Sequence, residues 1–256
     1  MKRFALIGCP VGGSLSPALF QAAYGGRRGV CDLVENAVFE ACWNRFLDDY
    51  DGINVTAPFK EQAFRRVDTL DDGARRAGAV NLAVKTPSGI AGYNTDCDGV
   101  ALAVKEVWTP RPGLRALVVG CGGAGRAAAV AAKDMGLEVS LMNRTGSRAV
   151  ALARELGMEP VPMENFPEAV RRSALVVYTV PVPIGAIAAL SAEELAGTVV
   201  LEANYRSPAF RPEAVREAGG TYVSGRRWLL YQAVAGYRIF TGEDPDIAAM
   251  EAVIEK

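Results

Sequence analysis

The stretch from Arg115 to Arg148 constrains this chain more than any other. An apolar run, Leu117-Val118-Val119, stops at Gly120-Cys121-Gly122-Gly123-Ala124-Gly125, and an alanine-rich helical pattern follows at once. A second apolar run spans Val139 to Met142. Strand, glycine turn, helix and strand, in that order, form the unit that grips a dinucleotide. Gly120 permits the tight turn, Gly122 lets the backbone approach a pyrophosphate, and Gly125 lets helix and strand pack closely. With Gly123 and Ala124 they open a helix whose free N–H groups and positive dipole end suit phosphates. The second strand ends in Asn143-Arg144-Thr145, with Arg148 one helical turn on. An NAD site places an acid near this point to hold the ribose 2′-hydroxyl. Glu138, at the strand's beginning, comes too early for that. Two guanidiniums and no acid suit a 2′-phosphate, because Arg meets phosphate through a planar fork. NADP is the expected cofactor; the plainer reading is a similar turn with surface arginines.

Composition narrows the function classes. With 256 residues the chain suits one large domain or two modest ones, and half of its residues are apolar. A net charge of −1 without runs of like charge argues against nucleic acid and membrane surfaces as partners. No apolar segment reaches the ~18 residues of a spanning helix. The start, MKRFALIGCPVGGSLSP, reads as a first strand and turn rather than a signal peptide. Five scattered cysteines without a CxxC pair fit a reducing, cytoplasmic protein without structural zinc. The sequence contains no histidine, which removes His-based triads, general bases and metal ligands. Proton transfer falls to Lys, Asp, Glu, Tyr or Cys, and no metal is expected.

Upstream of the glycine turn lies a second α/β pattern. Strand-like runs at 4–7, 32–38, 52–55 and 79–84 alternate with helical patterns at 17–24, 40–49 and 58–67. Asp96 reads as the N-cap of a helix running to Val107. Thr109-Pro110-Arg111-Pro112-Gly113 reads as a linker. Beyond the turn, further strand-like runs at 174–178, 198–201 and 221–223 extend a doubly wound sheet, and 226–240 and 247–254 read as closing helices. The expectation is an α/β protein: an N-terminal substrate domain with a mostly parallel sheet, 1–109 plus about 230–256, and a Rossmann-like nucleotide domain, 110–229.

Four segments of the first region carry polar residues in unusual company. Ser14-Leu15-Ser16-Pro17 places two hydroxyls before a helix, either to hold a carboxylate or as an ordinary N-cap. In Asn54-Val55-Thr56-Ala57-Pro58-Phe59-Lys60, Pro58 opens a helix and Lys60 falls in its first turn. The helix dipole disfavours a cation there, so Lys60 is either functional or simply solvated. Asn81 interrupts an apolar strand and needs partners if buried, whether as a structural group or a substrate contact. Asp96, in Tyr93-Asn94-Thr95-Asp96, either caps its helix or works on substrate.

Together, in this order, these motifs resemble the shikimate dehydrogenase family, as do the glycine turn, Asn143-Arg144-Thr145 and the tail Gly225-Arg226-Arg227-Trp228-Leu229-Leu230-Tyr231-Gln232-Ala233. The resemblance spans essentially the whole chain. It implies that Ser14 and Ser16 hold a substrate carboxylate, and that Thr56, Asn81, Asp96 and Gln232 hold ring hydroxyls. It implies Lys60 as proton donor and acceptor with Asp96 as partner, Tyr205 near substrate and Gly225 near the nicotinamide. It also implies that the C-terminal helices fold back on the first domain and that the active site occupies a cleft between domains.

The residues agree with that chemistry. Reducing a ketone needs hydride on carbon and a proton on oxygen, and without histidine a Lys–Asp pair is a sensible proton source. A neighbouring carboxylate stabilises the ammonium, which favours the acid role. The implied reaction is NADP-dependent interconversion of 3-dehydroshikimate and shikimate, a step towards aromatic amino acids, in a monomer or homodimer. A relative oxidising quinate or another ring acid, and a non-catalytic NADP(H) sensor, are the alternatives. The chain departs from the family pattern at Tyr178–Pro183, at Glu202–Tyr205, at Trp228 where methionine is common, and at Cys97 where glycine is common.

Overall fold

The computed structural model describes residues 2–25 and 30–255. Its elements run β1 (Arg3–Gly8), α1 (Ser16–Ala23), β2 (Val30–Glu35), α2 (Phe39–Asp49), β3 (Gly52–Val55), α3 (Lys60–Phe64), β4 (Thr69–Leu70), α4 (Asp72–Ala77), β5 (Leu82–Thr86), β6 (Gly89–Tyr93) and α5 (Thr95–Lys105). There follow β7 (Arg115–Val119), α6 (Gly123–Asp134), β8 (Glu138–Met142), α7 (Gly146–Leu156), β9 (Glu159–Pro160), α8 (Phe166–Arg171), β10 (Leu175–Tyr178), α9 (Ala192–Leu195), β11 (Val199–Glu202), α10 (Pro212–Glu217), β12 (Thr221–Ser224), α11 (Gly225–Thr241) and α12 (Ile247–Ile254). The chain forms two compact units, residues 1–99 with 229–256, and residues 100–228.

The first unit holds a six-stranded sheet in the order β2-β1-β3-β5-β6-β4. Its pairs are parallel except β3–β5 and β5–β6. Period-two alternation assigns its two faces. Ala5, Ile7, Ile53 and Val55 pack with Trp43 and Phe46 of α2. Phe4 and Leu82 pack with Leu19 and Phe20 of α1, Tyr237 and Phe240 of α11, and Met250 of α12. The closing helices therefore belong to the first unit's core. The Phe4 and Phe240 rings stack with centroids 4.2 Å apart, and full burial of one such side chain stabilises by roughly 1.5–3 kcal/mol.

The hairpin joining β5 and β6 is not apparent from the expected run at 79–84. It turns at Pro87-Ser88, and Gly89 follows with φ +123°. Asn81 precedes β5 rather than interrupting it. The reason is local: Gly78 ends α4 in the left-handed conformation, φ 61° and ψ 28°, and the chain needs Ala79–Asn81 to turn into the sheet.

The second unit holds a wholly parallel sheet in the order β12-β11-β10-β7-β8-β9. This is the doubly wound arrangement, whose strand order reverses between β10 and β7. Small side chains let α6 lie close to the sheet: every residue from Ala127 to Ala132 is buried. The boundary between units falls within α5, after Gly99, earlier than the proline-rich linker at 109–113. Val100, Ala103 and Val104 are buried and grouped with the second unit, so the division comes mid-helix rather than at the chain's visible break.

Candidate active site

In the first unit the polar motifs gather at the C-terminal ends of β1 and β3. The loop after β1 is tied to the loop after β3 by the Cys9 N–H donating to the Ala57 carbonyl at 3.1 Å. Ser14 Oγ donates to Ser16 Oγ at 3.1 Å and accepts from the Ser16 N–H at 3.2 Å, so the two hydroxyls stand together. Neither is the N-cap of α1; Leu15 is, and it offers no capping side chain. The Ser16 N–H is satisfied by Ser14 Oγ and Pro17 has no N–H, so this loop presents the two hydroxyls rather than a bare helix start.

Glu35, at the end of β2, holds this loop from behind. Its Oε2 accepts from the Val11 and Gly12 N–H groups at 2.7 and 3.0 Å. Those bonds hold its carboxyl below the ordinary range. Glu35 is not marked in the sequence, because its partners lie far upstream; only its position as an acid ending an apolar strand hints at it.

Lys60 opens α3, and its Nζ donates to Asp96 Oδ2 at 2.5 Å. The two side chains are 13% and 8% exposed. A buried ion pair is weak evidence for stability, because desolvation offsets most of the attraction; a functional reason is the better account. Asp96 is not the N-cap expected from sequence. It is the second residue of α5, and Asn94 Oδ1 caps its N–H at 3.2 Å. Asn94 also fixes the preceding segment, donating from Nδ2 to the Ala79 carbonyl at 2.8 Å. The capping role falls to Asn94, and the Asp96 carboxylate accepts from Lys60.

Asn81 joins the remaining groups. Its Oδ1 accepts from the Thr95 N–H at 2.8 Å, and its Nδ2 donates to Thr95 Oγ1 at 2.9 Å and Gln232 Oε1 at 3.5 Å. Gln232 in turn donates to the Leu229 carbonyl at 2.9 Å. Thr56 is half-buried on the loop after β3, its methyl group beside Gly8. Asn54 is buried on β3 with its Nδ2 unpartnered, a donor that a ligand or water must satisfy. The structure therefore brings Lys60, Asp96, Asn81 and Gln232 together and pairs Ser14 with Ser16, all within the first unit. Tyr205 and Gly225 belong to the second unit.

The second unit's glycine turn has the shape its sequence demands. Gly120 has φ +107°, and a Cβ there would lie 2.3 Å from Thr179 Oγ1. A Cβ on Gly125 would lie 1.9 Å from the Gly120 carbonyl oxygen. Gly122, the N-cap of α6, has open space where its side chain would be and contributes no capping group. The first-turn N–H groups of Gly123, Ala124 and Gly125 have no intrahelical acceptor. Asn143 Oδ1 accepts from the Cys121 N–H at 3.2 Å, and Asn143 Nδ2 donates to the Thr145 carbonyl at 3.0 Å. It thus joins the turn to the loop bearing Arg144. Arg144, Thr145 and Arg148 are exposed beside α7.

Burial pushes the Cys121 thiol up to about 11, with Arg126 and Arg148 drawing it down, so it stays protonated at neutral pH and fills space. Arg126 is engaged by Glu155 through two bonds of 2.8 and 3.0 Å. An uncapped helix start, an open glycine and two exposed guanidiniums fit a dinucleotide with a 2′-phosphate.

The role of Glu202 is not visible in the sequence. It is fully buried at the end of β11 and accepts from the Ala209 N–H, from the Phe210 N–H at 3.1 Å and from the Tyr222 hydroxyl at 3.3 Å. Burial pushes its carboxyl above the ordinary range, and those three donors draw it back. The Glu202 and Ala203 backbone crowds Gly225, where a Cβ would meet the Ala203 carbonyl at 2.3 Å.

A doubly wound sheet with a dinucleotide turn, in a chain whose other unit carries a buried Lys–Asp pair, defines a nicotinamide-dependent oxidoreductase. Residues 6–83 match the shikimate dehydrogenase substrate-binding domain, and residues 229–255 match the shikimate 5′-dehydrogenase C-terminal domain. Residues 113–192 match an acetohydroxy acid isomeroreductase NADPH-binding domain. The chain is 37% identical to a shikimate dehydrogenase (NADP(+)) of Thermus thermophilus, over 98% of this chain and 97% of that one. It is 37% identical to the enzyme of that name from Halobacterium salinarum, over 99% and 98%. The crystal structure of Thermus thermophilus shikimate 5-dehydrogenase in complex with NADP(H) and shikimate superposes with a TM-score of 0.86 at 33% identity, covering 100% of this chain and 99% of that one. The chain belongs to the shikimate dehydrogenase family.

Proposed function

We propose that this chain interconverts 3-dehydroshikimate and shikimate with NADP, as a step towards aromatic amino acids. The observation that carries the reading is the buried Lys60–Asp96 pair, at 2.5 Å, in a unit that also collects hydroxyl and amide groups. The Thermus relative whose structure holds NADP(H) and shikimate supports it. A cytoplasmic location is part of the proposal, supported by five scattered cysteines without a CxxC pair, which fit a reducing compartment. Among the described residues, no helix is long and apolar enough to cross a membrane.

The nicotinamide nucleotide, when bound, supplies or accepts the hydride. Gly122–Gly125 at the α6 N-terminus would hold its phosphates and Arg144 and Arg148 its 2′-phosphate, with Asn143 and Thr145 shaping that loop and Gly225 near the nicotinamide. The Ser14 and Ser16 hydroxyls hold the substrate carboxylate, while Thr56, Asn81, Asp96, Gln232 and Tyr205 hold the ring. In ketone reduction, Lys60 gives a proton to the carbonyl oxygen as the C–H bond forms, and solvent reprotonates the amine. In the reverse direction the neutral amine takes the hydroxyl proton. Asp96 keeps Nζ aimed at the reacting oxygen.

The direct test follows nicotinamide absorbance with each combination of shikimate or quinate and NADP or NAD. Shikimate with NADP is expected to dominate; quinate dominating would move the chain to a different ring acid, and no turnover with either would remove the reading. The arginines give a second prediction. Arg144→Ala with Arg148→Ala should raise KM for NADP by roughly 30-fold, the loss of charge-assisted bonds, and leave KM for NAD near its starting value. Equal loss for both nucleotides would show that the arginines do not read the 2′-phosphate.

A further inference from the structure

The two stretches that depart from the family pattern, Tyr178–Pro183 and Glu202–Tyr205, are hydrogen-bonded to each other. β10 and β11 are parallel neighbours with Tyr178 opposite Glu202, so the loops that follow leave the sheet side by side. Asn204 Nδ2 donates to the Pro181 carbonyl at 3.1 Å and the Ser207 carbonyl at 2.8 Å. Its Oδ1 accepts from the Arg206 and Ser207 N–H groups, each at 3.3 Å. One amide thus folds the turn around Tyr205 and fastens it to the adjoining loop.

Both loops are anchored at their other ends. Glu202 accepts from the Ala209 and Phe210 N–H groups, closing the far side of the Tyr205 loop. In the β10 loop, the Tyr178 hydroxyl donates to the Val182 carbonyl at 2.7 Å and Thr179 Oγ1 donates to the Val119 carbonyl at 2.9 Å. The same Thr179 oxygen lies where a side chain on Gly120 would be. Contacts therefore run unbroken from the dinucleotide turn, through Thr179 and Pro181, to Asn204 and the turn carrying Tyr205. Tyr205 itself is half-buried, with the Arg206 guanidinium 5.9 Å from its ring centre.

We infer that Asn204 is a positioning residue: by joining the loops after β10 and β11 it holds Tyr205 where it binds the ring acid. The inference rests on the assignment of Tyr205 to ring-acid binding made above. Val180 and Phe210 pack into the second unit's core on either side, and between them the Asn204 amide supplies the bonds that join the Tyr205 turn to the β10 loop. Aspartate at this position keeps the acceptor for the Arg206 and Ser207 N–H groups but replaces the donor to the Pro181 and Ser207 carbonyls with a repelling oxygen.

The test is steady-state kinetics on the full chain for Asn204→Asp, Tyr205→Phe and the double variant, with thermal denaturation alongside. Asn204→Asp should raise KM for shikimate about tenfold, the scale of two lost hydrogen bonds of modest strength, while KM for NADP stays within about twofold. A role confined to folding would lower Tm and leave KM unchanged. In the Tyr205→Phe background the aspartate should add little. Should Tyr205→Phe raise KM while Asn204→Asp does not, the positioning role is overturned and the Tyr205 assignment stands. Equal effects of Asn204→Asp with and without the tyrosine hydroxyl overturn it as well. No effect of Tyr205→Phe removes the assignment and the inference together. If Asn204→Asp does not fold, Asn204→Ala takes its place in the same comparison.

Discussion

Replacing Lys60 with alanine is expected to lower kcat about a thousandfold, the scale of a lost general acid, while NADP still binds. The substitution removes the cationic proton donor of the site, and the absence of histidine leaves no imidazole to replace it. The glycine turn and Arg144 lie in the other compact unit and share no residue with α3. Alanine also leaves Asp96 buried without its cation, and breaking such a pair costs folding stability. Lys60→Arg separates the two effects. Arginine keeps the ion pair with Asp96 but does not release its proton in the working pH range. It should therefore fold like the parent and still turn over at least a hundredfold more slowly. Stopped-assay kcat, read beside a calorimetric NADP titration, checks both variants. Near-parental kcat in either would take Lys60 out of the proton-transfer step.

How far the sequence reaches can be judged residue by residue. The glycine turn is legible because its constraints are local: one turn, one helix start and one packing contact within six residues, Gly120–Gly125. Lys60 stands out because a cation at a helix start is locally unfavourable. Asp96 is legible as a polar residue at a helix start but not as to which acid or amide caps, since Asn94, Thr95 and Asp96 all have side chains able to do so. The structure decides in favour of Asn94, and only then is Asp96 seen to be available to Lys60. Glu35, Glu202 and Asn204 remain hidden for another reason. Glu35 and Glu202 accept from backbone N–H groups of distant loops, Asn204 donates to a carbonyl of the neighbouring β10 loop, and backbone groups carry no residue-specific signature. The departures at Tyr178–Pro183 and Glu202–Tyr205, each unexplained in isolation, become one arrangement once β10 and β11 are known to be neighbours.

Gly125→Ala should disable the nucleotide-binding unit, and the reason lies in which atoms the new methyl meets. Its Cβ would sit 1.9 Å from the Gly120 oxygen and 2.7 Å from the Gly120 carbonyl carbon. These are backbone atoms that cannot rotate away. Gly120 is itself fixed, by its N–H donating to the Met142 carbonyl at 2.8 Å and by Thr179 filling its side-chain position. The strain must be relieved by moving α6 away from β7, which loosens the buried Ala127–Ala132 segment. Such overpacking costs roughly 1–3 kcal/mol or more, a fall in Tm of about 5 °C or more for a unit of this size. The same displacement carries the first-turn N–H groups away from the phosphates they are to bind, so NADP affinity should fall at least tenfold. Gly122→Ala is the informative contrast. Its φ of −86° suits alanine and nothing lies within 4 Å of the added carbon. That variant should keep its Tm, yet lose NADP affinity because the methyl occupies the space in front of the helix start. Thermal denaturation and NADP titration of the two variants distinguish packing from ligand approach. Parental NADP affinity in both would mean that the nucleotide does not bind at this turn.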